Sequence, residues 1–352
     1  MSYGKPLRHA VLEITNRCNL RCAHCASDSG DARADELSLG EWRRLLFDIR
    51  ELGGEEITLL GGEPLLHPEW FKIAATVGEL GMRLVLLSNG LLMDREETLT
   101  RLKELRPHLI GISLDGATPE SYRQMRGVDG FDGTIGLLRR LLADGHPQVN
   151  AITTFTRSNL GEFDRFADLF DNSGITWQIQ LAHYGGKRFL AEEFATLEDF
   201  NWLTGKIRRA IRTRPGLRLR TMDDFGYFPL DPTLRFLHQT WTGCIAGTSL
   251  VGVRSNGDLL GCLSLGDSFI EGNLRKTPLR KFWTRSSSFR RFREKHRSLN
   301  GVCADCAFAG ECRAGCSAIA YSVTGNLGNN PYCIRALETV NILTDIVGGT
   351  DR

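Results

Sequence analysis

The chain has 352 residues, of which 41% are hydrophobic and 24% are charged, and its formal net charge is +2. This apolar content suffices for a large core, in one big domain or in one domain and a half. The balanced charge excludes an acidic disordered chain and one held on nucleic acid by bulk charge. No apolar run is long enough to span a membrane, and the N-terminus lacks a secretory signal, so we expect a cytoplasmic protein without membrane or nucleic-acid partners.

Apolar runs rich in β-branched residues alternate with amphipathic stretches in the first half of the chain. The first helical pattern is capped by Ser38 and stopped at Gly53, and the plan is repeated at 68–81 and 131–145. Strand–helix repeats predict a parallel sheet with right-handed crossovers, in an open sheet or a barrel. Polar and glycine-rich residues follow the strands directly, which favours a partial (β/α)6 barrel because barrel enzymes carry their chemistry at that rim. The predicted strands are 9–15, 55–61, 83–89, 109–115, 149–155 and 177–183.

Ten cysteines fall into two groups separated by more than two hundred residues without one. Clustered cysteines in a cytosolic chain indicate metal binding rather than disulfides. We therefore predict a catalytic α/β domain at 1–183, a linking region at 184–243 and a small cysteine-rich α+β metal module at 244–352. The first group is Cys18, Cys22 and Cys25, and the second is Cys244, Cys262, Cys303, Cys306, Cys312, Cys316 and Cys333.

The first group has the spacing C-x3-C-x2-C on one short loop after the first predicted strand. Three thiolates there could hold three corners of a cubane iron–sulfur cluster and leave one iron open for another ligand. A structural zinc site made by the three cysteines and His24 is the alternative, which we rank lower because nothing nearby indicates a finger.

The cysteine loop resembles the signature of the radical S-adenosylmethionine (SAM) enzymes. The resemblance implies a [4Fe-4S] cluster whose open iron binds the amino and carboxylate groups of SAM. It also implies an external electron donor of the flavodoxin or ferredoxin type. One electron then cleaves a carbon–sulfur bond of SAM, and the 5′-deoxyadenosyl radical removes a hydrogen from the substrate.

Further motifs resemble the same family, each at the end of a predicted strand. Gly61-Gly62-Glu63-Pro64 resembles the motif that contacts the methionine amino group of SAM. Ser88-Asn89-Gly90 and Ser113-Leu114-Asp115-Gly116 resemble the segments that position the ribose and the methionyl carboxylate, and Arg126 could pair with that carboxylate. Each short motif alone could be an ordinary turn, but their order along the chain argues against coincidence.

The second cysteine group is similar to the SPASM extension of this family. Cys244 and Cys262 bracket a predicted hairpin whose turn is SNGD, and a dense cysteine series follows it. The resemblance implies two auxiliary iron–sulfur clusters. A zinc knuckle would leave three cysteines unused, and a redox C-x2-C site lacks a thioredoxin-like setting. The implied ligands are Cys303, Cys306, Cys312 and Cys333 for the outer cluster, and Cys244, Cys262 and Cys316 for the inner cluster.

The inner cluster departs from the pattern of some relatives, because no cysteine lies between Ile245 and Gly261 to complete it. The fourth ligand is therefore a residue other than cysteine, an open site, or unnecessary because the cluster is smaller. Sulfatase-maturating relatives place an Asp base directly after the second module cysteine, and Leu263 stands there in this chain. Both features argue against formylglycine formation.

His183 and Tyr184 follow the sixth predicted strand and are candidate catalytic residues, although a structural histidine is more common at such a place. Asp223, Asp224 and Tyr227 could contact the substrate or lie in a solvated loop. Segment 275–297 is basic and predicts one amphipathic helix with a solvated face.

The resemblance implies oxidative modification of a ribosomally synthesised peptide by side-chain cross-linking, thioether formation or epimerisation. The chain begins about eight residues before its first predicted strand. We therefore expect a separate leader-peptide-binding protein as a partner. The alternative substrate is a small molecule, such as a sugar, a nucleoside or an amino-acid-derived precursor of a natural product.

Overall fold

A computed structural model describes residues 4–183, 186–222, 225–237 and 243–348. The strands are β1 His9–Glu13, β2 Glu56–Leu60, β3 Arg83–Ser88, β4 Leu109–Ser113, β5 Val149–Phe155, β6 Thr176–Leu181, β7 Arg218–Thr221, β8 Leu250–Val253, β9 Asp258–Leu260 and β10 Ile270–Asn273. The helices are α1 Leu39–Glu51, α2 Trp70–Glu79, α3 Glu96–Leu105, α4 Pro119–Arg126, α5 Phe131–Ala143, α6 Arg157–Leu160, α7 Phe163–Phe170, α8 Leu197–Thr213, α9 Leu279–Trp283, α10 Arg290–Arg293, α11 Ala309–Cys312, α12 Ser317–Thr324 and α13 Ile334–Gly348.

The chain forms two compact units, and each is assembled from segments that are separated in the sequence. The division into a domain at 1–183, a linking region and a module from 244 stays a prediction about the family domains. The first unit comprises residues 1–153, 185–190 and 245–293, and the second comprises 154–184, 191–244 and 294–352.

The first unit is built on a parallel sheet in which β1 to β5 pair in chain order. Each of these strands lies where the sequence predicts it. The opposite edge of β1 pairs in parallel with β8, from His9 beside Leu250 to Leu12 beside Val253. The predicted hairpin is confirmed, since β8 and β9 are antiparallel and Gly257 in its turn has a φ of +88°. The pairing of β8 with β1 was not predicted, because the sequence pattern specifies the hairpin but not its partner.

Helix α1 shows why the helical pattern is legible in the sequence. The hydroxyl of Ser38 accepts a hydrogen bond from the backbone N–H of Glu41, whose carboxylate accepts one from the backbone N–H of Ser38. This capping box satisfies N–H groups that the first turn leaves without partners. The helix buries Trp42, Leu45, Leu46 and Ile49, and Gly53 follows it with a φ of +96°.

The second unit contains a parallel pair of strands, β6 and β7. Trp177 of β6 lies against the aromatic face of α7, with ring centroids 5.0 Å from Phe163 and 5.6 Å from Phe166. Helix α8 and strand β7 occupy the region that the sequence predicts only as a link. A capping box formed by Thr196 and Asp199 begins α8, so its start was visible in the sequence.

The single helix predicted over 275–297 is wrong. The structure has two short helices there, α9 and α10, followed by a 3-10 turn at Lys295–Ser298. Phe289 lies between the two helices with a φ of +52°, which a continuous right-handed helix cannot contain. Among the described residues, no helix combines the length and the apolar character that a membrane span requires.

Candidate functional site

The first cysteine group lies on a loop of the first unit whose ends are fastened together. The backbone N–H of Cys18 donates to the Gly30 carbonyl at 2.9 Å, and the N–H of Gly30 donates to the Asn16 carbonyl at 3.0 Å. Glu36 closes the base, since its carboxylate accepts from the backbone N–H of Asn16 at 2.7 Å and from the Thr15 hydroxyl at 3.0 Å. The chain between these bonds is therefore held as one closed loop after β1.

The three thiols of this loop are half-buried neighbours. Burial raises the pKa of Cys18 and of Cys22. The charge of Cys25 raises the pKa of Cys18 further, and the charges of Cys25 and Cys18 raise that of Cys22. The pKa of Cys25 is lowered instead, because hydrogen bonds from Ser27 and Ser29 outweigh the effect of burial. Sulfur atoms close enough to influence one another's ionisation fit a group held by three thiolates.

The glycine pair after β2 lies against the backbone at the start of this loop. A Cβ atom added at Gly61 would lie 2.3 Å from the carbonyl oxygen of Thr15, and one added at Gly62 would lie 2.3 Å from that of Arg17. These contacts are shorter than any side chain permits, so the pair allows the cysteine loop to pack on the end of β2. Approach to the protein backbone, and not only to a ligand, thus requires glycine here.

Glu63 is fully buried and begins the short 3-10 turn Pro64–Leu66. Its carboxylate accepts from the Ser88 hydroxyl at 2.9 Å and from the backbone N–H groups of Asn89 at 2.9 Å and Leu65 at 3.2 Å. Burial raises its pKa, against the opposing effect of these hydrogen bonds. The side chain is a buried carboxylate held by neutral donors, which is a suitable partner for the ammonium group of a ligand.

The residues predicted at the ends of β3 and β4 join the same network. The side-chain amide of Asn89 donates to the side chain of Asn19 in the cysteine loop at 2.7 Å. The Ser113 hydroxyl donates to the Ser88 carbonyl at 3.4 Å. The ends of β2, β3 and β4 are thereby connected to one another and to the cysteine loop.

Asp115 and Arg126 form a buried ion pair, with Nη1 of Arg126 2.7 Å from Oδ2 of Asp115. The same carboxylate oxygen lies 3.1 Å from Nε2 of His24, the residue before Cys25. Burial lowers the pKa of Arg126, but the charge of Asp115 outweighs it, so the pKa is raised and the guanidinium stays charged. Within the described part of the chain, Nε of Arg126 and Nδ1 of His24 are buried without hydrogen-bond partners, which fits polar atoms that await a ligand.

The sequence does not identify the residues that support this site through contacts between distant parts of the chain. His24 was considered only as a zinc ligand, and its position between two cysteines was the available signal. Nothing in the local sequence points to residues 186–188, which pack against the cysteine loop. A Cβ atom at Gly186 would lie 2.1 Å from the Cys25 carbonyl oxygen, and the Arg188 guanidinium donates to the Ser29 carbonyl at 2.9 Å.

Four cysteines of the second unit line one cavity of about 490 Å³. Burial raises the pKa of Cys312 to about 12, and the thiols of Cys333 and Cys303 raise it further. Burial likewise raises the pKa of Cys303, with Cys306 as a neighbouring charge. The four thiols predicted for the outer cluster are therefore brought together around one space, as a shared group requires.

The cysteines predicted for the inner cluster are divided between the two units. Cys244 and Cys316 belong to the second unit, where the Ser317 hydroxyl donates to the sulfur of Cys244 at 3.2 Å. Cys262 belongs to the first unit and follows β9 by two residues. Their assignment to one cluster stays a prediction.

His183 follows β6 by two residues, and burial lowers its pKa to about 4. Its Nδ1 atom is buried without a partner among the described residues. Tyr184, Asp223 and Asp224 lie outside those residues, and Tyr227 is buried in the second unit. Wherever the structure is described, no group of three or more His, Cys, Asp or Glu side chains is placed to hold a single metal ion.

Two family models match the chain. The radical SAM superfamily model matches residues 12–170, and the SPASM iron–sulfur cluster-binding domain matches residues 244–307. Mycofactocin maturase MftC of Mycobacterium tuberculosis strain H37Rv is 30% identical over 341 residues, which are 92% of this chain and 82% of the relative. The AdoMet-dependent heme synthase of Methanosarcina barkeri is 28% identical over 348 residues, which are 92% of this chain and 95% of that enzyme.

The fold resembles that of Streptococcus suis SuiB bound to its precursor peptide SuiA. The TM-score is 0.73 at 18% identity, and the match covers 93% of this chain and 75% of SuiB. This likeness, together with the superfamily match, confirms the predicted α/β fold class, a partial TIM-like barrel with a cysteine-rich C-terminal region.

Proposed function

The chain belongs to the radical SAM superfamily and carries its SPASM iron–sulfur domain, and from this membership we propose that it oxidatively modifies a ribosomally synthesised peptide. The proposed reaction removes hydrogen from an unactivated position and leads to a side-chain cross-link, a thioether or an epimerised residue. The observation that carries the proposal is the 30% identity to mycofactocin maturase over nearly the whole chain.

The proposed SAM site consists of the cysteine loop and the buried network behind it. Cys18, Cys22 and Cys25 would hold the cluster, which with bound SAM supplies the 5′-deoxyadenosyl radical that removes hydrogen. The Glu63 carboxylate would accept from the amino group of SAM, and the charged Arg126 would pair with its carboxylate. The other proposed contacts to SAM are Gly61, Gly62, Pro64, Ser88, Asn89, Ser113 and Asp115.

The proposed auxiliary sites follow the cysteines of the second group. The shared cavity supports an outer cluster on Cys303, Cys306, Cys312 and Cys333. For the inner cluster we retain Cys244, Cys262 and Cys316, with the fourth position unassigned. These clusters would accept the electron left after oxidation or bind the substrate. Reduction potentials of such clusters span roughly −700 to +450 mV, a range that allows them to accept an electron.

Further parts of the proposal concern partners and catalytic groups. We propose a flavodoxin- or ferredoxin-type electron donor, a separate leader-peptide-binding protein and a cytoplasmic location. His183 and Tyr184 remain the proposed catalytic residues beyond the cofactors. Burial lowers the pKa of His183 to about 4, so its imidazole is neutral at physiological pH.

A second candidate is modification of a small molecule of the iron–porphyrin class. Its support is the match to heme synthase, which covers 95% of that enzyme at 28% identity, and to a Methanosarcina barkeri Fe-coproporphyrin III synthase at 27% identity. The two classes differ in their substrates, so a direct assay separates them.

The deciding experiment incubates anaerobically reconstituted, reduced enzyme and SAM with peptides encoded beside its gene, and in parallel with iron–coproporphyrin. The proposal expects a peptide product whose mass is lower by about two hydrogen atoms, with 5′-deoxyadenosine formed alongside it. Epimerisation leaves the mass unchanged, so the reaction is repeated in D2O to detect deuterium incorporation. Product from iron–coproporphyrin alone would replace the proposal with the second candidate.

The control is the triple variant Cys18→Ala, Cys22→Ala and Cys25→Ala. It should form no 5′-deoxyadenosine and should lose about a third of the iron of a three-cluster protein. Continued 5′-deoxyadenosine formation by this variant would contradict the assignment of the cysteine loop.

A further inference from the structure

Lys295 is a buried cation among the cysteines of the second unit. Lys295 is only 2% exposed and is the first residue of the 3-10 turn Lys295–Ser298. Its Nζ atom donates to the Gly315 carbonyl at 3.1 Å and to the Ser317 hydroxyl at 3.0 Å. Among the residues that the structure describes, no carboxylate lies within ion-pair distance of it. A buried ammonium group without a carboxylate requires another source of negative charge.

The hydrogen bonds around Ser317 have a fixed direction. An ammonium group carries donors only, so the Ser317 oxygen must accept from Lys295. The hydroxyl proton of Ser317 is then directed to the sulfur of Cys244, 3.2 Å away. Ser317 is itself 1% exposed and follows Cys316 directly in the chain. Lysine, serine and cysteine sulfur thus form one chain of donors that ends on a predicted cluster ligand.

The charges that face Lys295 are those of cysteines. Burial lowers its pKa, whereas the thiols of Cys244, Cys316 and Cys312 act in the opposite direction. Arg313 is a second cation nearby, and its guanidinium donates to the Cys244 carbonyl oxygen. Among the described residues, the groups that can supply negative charge to the lysine are therefore these cysteine sulfur atoms, which are thiolates when they hold a cluster.

We propose that Lys295, through Ser317, is a positioning residue that holds a positive charge beside the Cys244 sulfur and raises the reduction potential of the auxiliary cluster that Cys244 and Cys316 would hold. A cation close to a cluster favours the added electron, and hydrogen bonds to ligating sulfur act in the same direction. The inference rests on the ligand assignment of the proposed function and not on the identity of the substrate.

The test uses full-length protein in which Cys18, Cys22 and Cys25 are replaced by alanine, so that only auxiliary clusters contribute signals. Potentials are measured by redox titration followed by electron paramagnetic resonance for Lys295→Met, Lys295→Arg and Ser317→Ala. Lys276→Met is the matched control, because Lys276 is exposed and lies in the other unit. Iron content and melting temperature are recorded for every variant.

In Lys295→Met, we expect the reduced-to-oxidised ratio of one auxiliary cluster to fall at least tenfold at a fixed potential, which is a shift of 59 mV for a one-electron couple. The same ratio in Lys295→Arg should stay within threefold of the parent value. The ratio in Ser317→Ala should lie between those of Lys295→Met and Lys295→Arg. If Lys295→Met fails to fold, a shift in Ser317→Ala carries the inference, and its absence overturns it.

Unchanged potentials in a folded Lys295→Met protein with full iron content would overturn the inference and leave the proposed function intact. A shift in these potentials, combined with no peptide product from protein that retains Cys18, Cys22 and Cys25, would do the reverse. A parent protein without iron would overturn both.

Discussion

Replacing Glu63 by glutamine tests the proposed SAM site at a fully buried charge. The substitution keeps the size of the side chain and removes the negative charge that would meet the amino group of SAM. A hydrogen bond to a charged group contributes about 1.5–3 kcal/mol. We therefore expect Glu63→Gln to weaken SAM binding by about 10- to 150-fold.

The binding assay is equilibrium dialysis of oxidised, cluster-loaded protein with SAM, at matched iron content. The measurement is repeated with a SAM analogue that lacks the amino group. Wild type and variant should bind this analogue equally, because the interaction removed by the mutation is then already absent. The matched control is Glu79→Gln, an exposed glutamate in α2 of the same unit. Binding of SAM by Glu63→Gln within threefold of wild type would refute the assigned role.

The same variant has a defined pH dependence of stability. The folded pKa of Glu63 is raised above its ordinary value of 4.5. Below pH 4.5 the carboxyl is largely protonated in both the folded and the unfolded state, so burial costs little. As the pH rises through the folded pKa, the unfolded state gains by ionising more readily, and wild type loses stability. The free energy of unfolding of Glu63→Gln, relative to wild type, should therefore increase from pH 5 to pH 8.

The part of the difference in free energy of unfolding between Glu63→Gln and wild type that does not vary with pH has a separate cause. The glutamine amide presents one oxygen where the carboxylate presents two, so one backbone N–H, of Leu65 or Asn89, loses its acceptor. That loss costs about 1–3 kcal/mol at every pH. Urea unfolding of the cluster-free protein across the pH range separates the offset from the slope. A difference that does not vary with pH would contradict the buried-charge explanation.

Two further predictions concern the first unit. Gly62→Ala would place a methyl group 2.3 Å from the Arg17 carbonyl oxygen, so we expect a loss of at least about 2 kcal/mol in the free energy of unfolding and lower iron content. The control is Gly78→Ala in α2, where the added methyl group meets no atom within 4 Å, and we expect a gain of about 0.5–1 kcal/mol in the free energy of unfolding. If Gly62→Ala and Gly78→Ala had equal effects in thermal unfolding, the argument from close approach would be contradicted. The pKa of Glu41 is lowered to about 2 by hydrogen bonds from Arg275, at a partly exposed site. Glu41→Gln should therefore lower the free energy of unfolding by at most about 1 kcal/mol at pH 7. This difference should disappear as the pH falls below 4.5 towards 2, and added salt should reduce it. A loss of stability that does not depend on pH would contradict the ion pair.

The sequence was sufficient for the residues whose signals are local. Strands β1 to β6 lie where apolar runs predict them, and the cap of α1 is at Ser38 as expected. The sequence predicts Glu63 and Ser88 as site residues because each lies at or just beyond the end of a strand, and parallel strands bring such ends to one edge. Their contact across 25 residues confirms that geometry.

The parts that could not be predicted depend on contacts between distant residues. His24 meets Asp115 across 91 positions, and Arg188 meets Ser29 across 159. No periodicity or spacing carries information about such pairs, because they arise only when the elements pack. For the same reason, the sequence explains Gly61 and Gly62 only by contact with a ligand. In the structure, the atoms nearest to them belong to the backbone of the cysteine loop.

The buried Glu13 shows how the first unit relates the cysteine loop to the hairpin that precedes Cys262. Its carboxylate, at the end of β1, accepts from the Arg33 guanidinium at 2.9 Å and from the Ser255 hydroxyl at 3.1 Å. Arg33 lies in the part of the cysteine loop between Cys25 and Glu36, and Ser255 lies in the turn between β8 and β9. One buried anion thus fixes both segments, and its charge is compensated by the guanidinium. Because β8 also pairs with β1, the strand that Cys262 follows belongs to the same sheet that carries the cysteine loop. The compact unit therefore includes part of the sequence assigned to the iron–sulfur domain, and a structural unit need not coincide with a family domain.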